Sequence, residues 1–282
     1  MIIDFHTHTF PDKIADAALA SLRAKSHTVS FTNGMTSGLK ESMKEAGIDW
    51  SVVLPVATNP QKVSSINDLS ATLTEKEGLI YFGCIHPDME DAKGEIVRLA
   101  GLGLKGIKLH PVYQGVDLDD IRYLRILDAA AEQDLIVVTH SGDDIGFPGV
   151  VHCTPQMAKN ALKQVGNVKL VLAHMGGWRN WDRVADALVN TSADLDTAFS
   201  LGSLTQSQPP YYSAEEEKLL TEQAFCDLVR AFGSHRILFG SDSPWGEQKA
   251  DVERILALPL DDAEKQNIFF KNAQRLLFSA TV

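Results

Sequence analysis

His6 and His8 end the first apolar stretch of the sequence, with one residue between them. Side chains two positions apart in a β-strand lie on the same face of that strand. Both imidazoles can therefore bind one metal ion through a ring nitrogen. The pair is a weak signal by itself, because polar residues also occur at the ends of strands that bind nothing.

Further polar residues follow later apolar stretches in the same way, and they are His86, Lys108, His110, His140, His174 and Asp242. Burying several histidines with a carboxylate costs free energy unless a metal or another partner compensates for it. We predict that His140 and Asp242 join the first pair, which gives a set of three histidines and one carboxylate. Nitrogen and oxygen ligands with one open position suit a catalytic Zn²⁺, with Mn²⁺, Fe²⁺ and Co²⁺ as alternatives.

The stretches that carry these polar ends are rich in β-branched residues, and we predict that each is a strand: residues 2–6, 51–56, 79–85, 104–110, 135–140, 168–174, 193–198 and 236–242. Several lack polar alternation, which is typical of parallel strands buried on both faces. Helical patterns lie between them at 37–47, 120–133, from Thr154-Pro155 to about Gly166, and at 261–278. Ser213 and Glu216 have the spacing of a capping box and predict a further helix start.

This alternation of strand and helix predicts an α/β protein with a (β/α)₈ TIM barrel that forms a single domain, residues 1–282. The alternative is an open doubly wound sheet, but no GxGxxG motif follows the first strand. The carboxyl ends of barrel strands meet at the active site, so the polar ends would converge there. Two long connections, 9–36 and 200–213, follow strands and would form a lid or a wall of the pocket.

Six segments resemble the amidohydrolase superfamily, and within it the amidohydrolase-related branch of enzymes like aminocarboxymuconate-semialdehyde decarboxylase. They are IIDFHTHTFP, GIKLHP, VVTHSG, LVLAHMGG, ILFGSDSPW and KNAQRLL, in the family's order from residue 2 to residue 277. The resemblance implies that one divalent metal, usually zinc, is held by His6, His8, His140 and Asp242. It also implies that His174 is a catalytic acid or base, or a weak further ligand. Asp242 would orient the bound water and accept its proton.

Four further residues are candidates for binding substrate. Two-metal members of the superfamily often use a carbamylated lysine on the fourth strand, but the branch resembled here usually works with one metal. We therefore predict that Lys108 binds substrate or belongs to a buried ion pair. His110 either contacts substrate or forms hydrogen bonds within its loop. Arg179 could hold a substrate carboxylate beside Trp178, or Trp178 packs and Arg179 is solvated.

The composition limits the partners of the chain. A formal net charge of −11 argues against nucleic acid or an anionic membrane as the main partner. Three widely spaced cysteines form no disulfide framework, and neither a signal peptide nor a membrane span is present, so we expect a cytoplasmic protein. We expect a small-molecule substrate, and a homodimer is one option for the assembly.

Two reactions fit the same ligand set. The favoured one is hydrolysis, in which a metal-activated water attacks an amide, lactone or ester of a small carboxylated molecule. The alternative is non-oxidative decarboxylation of a small aromatic or unsaturated acid; we rank it second because such relatives tend to be longer. A remote alternative is a PHP-like phosphoesterase, which also opens with HTHTF. Its further ligands are missing here, and Pro11-Asp12-Lys13 replaces its usual Ser-Asp-Gly.

Overall fold

Short parallel strands form the centre of the protein, and helices surround them. The computed structural model describes residues 1–278, so the last four residues of the predicted domain 1–282 lie outside the described residues. The strands are β1 (Ile3–Thr7), β2 (Trp50–Val53), β3 (Leu79–Tyr81), β4 (Gly83–Cys84), β5 (Gly106–Leu109), β6 (Ile136–Thr139), β7 (Lys169–Leu172), β8 (Asp194–Asp196) and β9 (Ile237–Leu238).

Backbone hydrogen bonds close these strands into a barrel. The strands pair in the orders β1-β2-β3 and β4 to β9, and all of the pairs are parallel. β3 and β4 are two parts of one strand, because only Phe82 separates them and its N–H still donates to Val53 O at 3.0 Å. Phe5 N donates to Phe239 O at 2.7 Å and joins the first strand to the last. The predicted eight-stranded TIM barrel is therefore confirmed.

The helices follow the strands around the barrel. They are α1 (Asp12–Ser26), α2 (Thr36–Ala46), α3 (Val63–Leu73), α4 (Ala92–Gly101), α5 (Pro111–Gln114), α6 (Ile121–Glu132), α7 (Pro155–Gln164), α8 (Val184–Leu188), α9 (Glu222–Phe232), α10 (Gln248–Ala257), α11 (Asp262–Gln266) and α12 (Asn272–Phe278). A π-helical segment, Asn267–Lys271, joins the last two, and short 3₁₀ helices occupy Pro60–Lys62, Trp181–Arg183 and Ser234–Arg236. None of the described helices is long and apolar enough to span a membrane.

The predicted start of a helix at Ser213 is wrong. The capping-box hydrogen bonds do form, since Ser213 N donates to Glu216 Oε2 at 2.9 Å. However, only a turn follows. Leu219 N donates to Gly202 O at 3.2 Å, so this segment pairs with residues that follow β8 and does not continue as a helix. The helix begins later, at Glu222, where the Thr221 side chain accepts a hydrogen bond from Ala224 N.

The two long connections contact each other. The first contains the helix α1, although the sequence predicts only a connection there. Beyond α1, Val29 N donates to Thr205 O at 3.0 Å, and Ser207 N donates to His27 O at 2.8 Å. The hydroxyl of Tyr212 donates to Ser26 O at 2.7 Å. The second connection therefore braces the C-terminal end of α1.

A local irregularity in β1 directs its side chains. The pairing register with β2 slips between Asp4 and Thr7, so one extra residue lies on the β1 side. Phe5 packs inside the barrel with residues such as Val138 and Leu238, and His6 also lines the central cavity. Strict alternation would place Phe5 and His6 on opposite faces, so the slip turns His6 inward.

Candidate metal centre and active site

Three of the four predicted metal ligands meet at the carboxyl ends of the strands. His6 Nε2 and His8 Nε2 are 3.2 Å apart. Asp242 Oδ1 lies 3.4 Å from the first nitrogen and 3.2 Å from the second. The three ligand atoms all lie within 4.8 Å of one another. We call His6, His8 and Asp242 the metal trio.

The fourth predicted ligand, His140, lies beside His174. His140 Nδ1 and His174 Nε2 are 3.0 Å apart, and the ring centroids of His174 and His6 are 5.2 Å apart. His174 therefore lies between the metal trio and His140. His140 also offers a ligand atom within 4.8 Å of His110 and Asp144, which form a second potential metal-binding group with it.

Hydrogen bonds define which nitrogen of each ring carries the proton. One nitrogen of each of these four histidines faces an oxygen acceptor: His6 Nδ1 faces Asp196 Oδ2 (2.8 Å), His8 Nδ1 faces Leu54 O (2.7 Å), His140 Nε2 faces Asp143 O (3.0 Å) and His174 Nδ1 faces Ala198 O (2.9 Å). A carbonyl oxygen can only accept, so the ring nitrogen that faces it carries the hydrogen. In a neutral ring, the other nitrogen then carries a lone pair that can bind a metal ion.

The ring nitrogens that carry these lone pairs lie close together, and this arrangement fits a bound cation. Burial lowers the pKa of His6 and of His140 well below the usual value, and it lowers that of His174 to about 4, so the rings are neutral. Two unprotonated nitrogens at about 3 Å repel each other, as in the pair His140–His174. A divalent metal between such nitrogens turns the repulsion into coordination. The donor set of imidazole and carboxylate suits Zn²⁺ and also Mn²⁺.

The sequence reasoning missed Asp196, which holds the metal trio in place. Its carboxylate accepts from His6 Nδ1 at 2.8 Å and from the backbone N–H of His174 at 2.9 Å. Burial raises the pKa of Asp196 to about 7. A carboxylate behind a metal-binding histidine orients its ring and makes the ligand nitrogen more basic. The signal was present in ADLDTA, where a carboxylate stands inside an apolar strand.

Two of the functional residues have an unusual backbone conformation. His174 has φ = 59° and Asp242 has φ = 64°, in the left-handed region that few non-glycine residues adopt. Asp196 Oδ1 accepts from the N–H of His174, and His6 O accepts from the N–H of Asp242 at 2.8 Å. These bonds hold the strained turns and point both side chains toward the cavity.

Lys108 and His110 both lie in the cavity wall. Lys108 Nζ is 3.1 Å from His6 Nε2, and burial lowers its pKa to about 8. It is the only Lys or Arg among the described residues that line the cavity. His110 stacks on His140, with ring centroids 4.4 Å apart, and its Nε2 lies 3.5 Å from Asp144 Oδ2. His110 Nδ1 is buried without a hydrogen-bond partner in the described part of the chain.

Trp178 lines the cavity, whereas Arg179 does not. The indole N–H of Trp178 donates to Phe199 O at 3.1 Å. Arg179 is exposed, lies over the Trp178 ring and donates to the backbone oxygen of Glu216. The structure therefore does not bring Arg179 to the site as a clamp for a carboxylate. Gly142 permits this arrangement, because a Cβ atom there would lie 2.2 Å from Trp178 N.

One cavity of about 870 Å³ contains all of these groups except Arg179 and Asp196. It opens from the metal trio toward the start of the first long connection, where Phe10, Tyr81 and Leu54 line it. Of the residues in the second long connection, 200–213, none lines this cavity. The prediction that the connections form a pocket wall is therefore correct for the first and not for the second.

The chain matches the family model described as amidohydrolase over residues 3–278. It belongs to the amidohydrolase family. No curated protein sequence matches it. The chain is thus an enzyme of the amidohydrolase superfamily, as the motifs of the sequence predicted.

Solved structures with the same fold include three of particular interest. A 5-carboxyvanillate decarboxylase from Novosphingobium aromaticivorans, in complex with manganese and 4-hydroxy-3-methoxy-5-nitrobenzoic acid, is 16% identical over 98% of this chain and 96% of that chain, with a TM-score of 0.70. A 2,6-dihydroxybenzoate decarboxylase from Rhizobium is 15% identical over 98% of each chain, with a TM-score of 0.67. A candidate 2-pyrone-4,6-dicarboxylic acid hydrolase from Pseudomonas putida is 17% identical over 98% of this chain and 97% of that chain, with a TM-score of 0.62. At such identities the likeness shows a shared fold.

Proposed function

We propose that this enzyme is a metal-dependent, non-oxidative decarboxylase of a small aromatic or unsaturated carboxylic acid. The observation that carries the proposal is the contrast between the two ends of the cavity. With a divalent metal bound, the metal trio and Lys108 would form a cationic end, and the walls beyond it are mainly apolar. Decarboxylation spreads the charge of a carboxylate over a larger group, and apolar surroundings favour a dispersed charge over a localised one.

The residues of the site have distinct roles in this proposal. The metal trio and His140 hold the ion, and a divalent metal, when bound, supplies positive charge next to the oxygen atoms of the substrate. Lys108 Nζ lies 3.1 Å from His6 Nε2 and can donate to the carboxylate of the substrate. This ammonium is the only one from lysine or arginine among the described cavity-lining residues, so it replaces Arg179 as the expected carboxylate ligand.

His174 is the proposed proton carrier. Its Nδ1–H is engaged by Ala198 O, so only Nε2 can receive or release a proton in the cavity. Burial lowers the pKa of His174 to about 4, and a carboxylate bound beside the ring would raise it. Binding of the acid would thus favour the protonated ring, which can deliver its proton to the carbon that loses CO₂.

Hydrolysis of an amide, lactone or ester is the second candidate function, and it was the favoured one from the sequence alone. One structure with this fold is a candidate hydrolase of a pyrone dicarboxylic acid. The same residues could serve, with Asp242 taking a proton from water. Most of the named enzymes among the structures reported above are decarboxylases of aromatic acids, and this supports the reversed order of preference.

The products decide between the two reactions. Enzyme loaded with Zn²⁺ or Mn²⁺ would be incubated with aromatic and unsaturated acids ¹³C-labelled in the carboxyl group, and with lactones, esters and amides. We expect ¹³CO₂ from at least one acid, and loss of that signal in Lys108→Met, which keeps the length of the side chain without its charge. A matched control is His152→Gln, outside the cavity, which should retain activity. Ring opening or ester cleavage without ¹³CO₂ would overturn the proposal in favour of hydrolysis.

A further inference from the structure

The cavity extends well beyond the metal trio, into a groove between two helices. On one side, α1 presents Ile14, Ala18 and Leu22, which follow one another at intervals of four residues. Residues at this spacing lie on one face of a helix. The adjoining face of α1 carries Ala15 and Leu19, which are buried against the protein. Ile14 is exposed and Ala18 and Leu22 are half-buried, so the cavity-lining face borders open space.

The other side of the groove is formed by α3. Ile66, Leu69 and Leu73 line the cavity and share a helix face by their spacing. Val63 and Asn67 are buried on the adjoining face, and the Asn67 side chain accepts a hydrogen bond from the backbone N–H of Cys84 at 2.8 Å. Two helices thus present apolar stripes to the same space, at the side of the barrel where β1 and β2 end. We call this space the α1–α3 groove.

The groove is continuous with the metal trio. His8 Nδ1 donates to Leu54 O at 2.7 Å, and Leu54 lies in the wall where the groove begins. The hydroxyls nearest to this point are already paired with one another, since Tyr81 Oη lies 2.8 Å from Thr36 Oγ1 and 3.2 Å from Thr9 Oγ1. Of the described charged residues that line the cavity, only Asp12 lies away from the metal end, and it is exposed. The groove therefore offers its occupant apolar contact rather than charge.

The size of the cavity exceeds the needs of a single-ring acid. Its volume of about 870 Å³ is near the upper end of the ~300–1,000 Å³ range of pockets that hold drug-sized ligands. Ile14 and Leu69 are 53% and 43% exposed, so large apolar side chains stand open to solvent at the outer end of the groove. Exposed apolar side chains that border one cavity are a feature of ligand-binding grooves.

We propose that the substrate carries an apolar extension of several carbon atoms, such as an alkyl or acyl chain, which lies in the α1–α3 groove while its carboxylate lies at the metal trio. This inference rests on the proposed function, because that function places the carboxylate of the substrate at the metal trio. The inference adds the apolar extension of the substrate and assigns its binding to Ala18, Leu22 and Ile66. These residues select substrates by length and take no part in the chemistry.

The test is a binding series with a probe of increasing length. Benzoates with 4-n-alkyl chains from methyl to hexyl would be titrated calorimetrically into metal-loaded enzyme. We expect Kd to fall about fourfold for each added methylene, as burial of a CH₂ group predicts, until the groove is filled. A Kd that does not change from methyl to hexyl would overturn the proposal.

A bulky residue in the groove provides the matched comparison. Ala18→Trp should raise the Kd of the hexyl compound toward that of the methyl compound and leave the methyl compound unaffected. Ala17→Trp places the same bulk on an exposed position of α1 that does not line the cavity, and it should preserve the whole series. If Ala18→Trp leaves the series intact but changes the molar mass measured by light scattering, the groove binds a second copy of the chain and the proposal is wrong. Because these are binding measurements, tight binding without CO₂ release would count against the decarboxylase alone.

Discussion

At the scale of single residues, His140 and His174 provide the sharpest test of the site. Their ring nitrogens lie 3.0 Å apart, yet we assign His140 to the metal and His174 to proton transfer. We expect His140→Ala to lose most of the bound metal and the activity. We expect His174→Asn to keep close to one metal per chain while kcat falls about 10²–10⁴-fold, the usual contribution of a general acid. Mass spectrometry measures the metal content of each variant, and steady-state kinetics measure its kcat.

The two variants are judged against each other and against a histidine outside the site. His152→Asn should change neither metal content nor kcat, because its ring pairs with Asp117 away from the cavity. Loss of metal in His174→Asn would make His174 a ligand. It would then share the ion with the metal trio, and the assignment of roles would be wrong.

Much of this site could be predicted from residue types at strand ends. The sequence indicated His6, His8 and Asp242 because imidazoles and a carboxylate at the ends of apolar strands need a partner. It could not show Asp196 as the support of His6, because the hydrogen bond spans 190 positions along the chain. Nor could it show that Arg179 turns away to Trp178 and Glu216, since the path of the loop decides that.

At the scale of elements, Asp4 joins the first strand to the last. Its carboxylate accepts from Ser241 N at 3.0 Å, from Ser241 Oγ at 2.5 Å and from Gln248 Nε2 at 2.7 Å, all of them buried. We expect Asp4→Ala to lower the free energy of unfolding by about 3 kcal/mol, because these buried donors lose their acceptor. Urea denaturation measures the change.

The control for this prediction is a carboxylate that makes no comparable contacts. Asp16 lies on the exposed side of α1, and Asp16→Ala should change the free energy of unfolding by less than about 0.5 kcal/mol. Equal losses in the two variants would contradict the role of Asp4 in holding β1 to the strand that closes the barrel.

The strands were predictable because an apolar run is visible in the local sequence and does not depend on contacts with residues far along the chain. The helix start at Thr154-Pro155 was also predictable, and the Thr154 side chain accepts a hydrogen bond from Met157 N. The turn at Ser213–Glu216 was not, because pairing with the segment after β8 overrides a local capping signal. The register slip in β1 depends on how two strands fit together, so no pattern within β1 predicts it.

At the scale of the whole molecule, Asp251 links stability to pH. It lies in α10, accepts from Arg254 Nη1 at 2.7 Å, and burial raises its pKa from 3.8 to about 7. Between these two values the folded protein binds the proton and the unfolded chain does not, so this residue makes stability fall as pH rises through that window. We expect Asp251→Asn to show a smaller fall in the free energy of unfolding from pH 5 to pH 7.5, measured by urea denaturation. An unchanged slope would contradict the raised pKa.

The assembly of the protein stays a prediction. The homodimer, the cytoplasmic location and the exclusion of nucleic acid rest on the sequence alone. The connection 200–213 contacts the end of α1 through Tyr212 and Ser26, so this part of its surface is covered within the chain.

The hydrogen bonds that fix the four histidine tautomers have a consequence for how this enzyme can evolve. Three of the four acceptors are main-chain oxygens, of Leu54, Asp143 and Ala198, and only Asp196 contributes a side chain. A point mutation can remove a side chain but leaves a carbonyl oxygen in the chain. The geometry of the histidines is therefore insulated from most single substitutions around it, and changes to the side chains of the α1–α3 groove leave these acceptors in place. A lineage of such enzymes can therefore change its substrate specificity while the histidines of the site keep their positions.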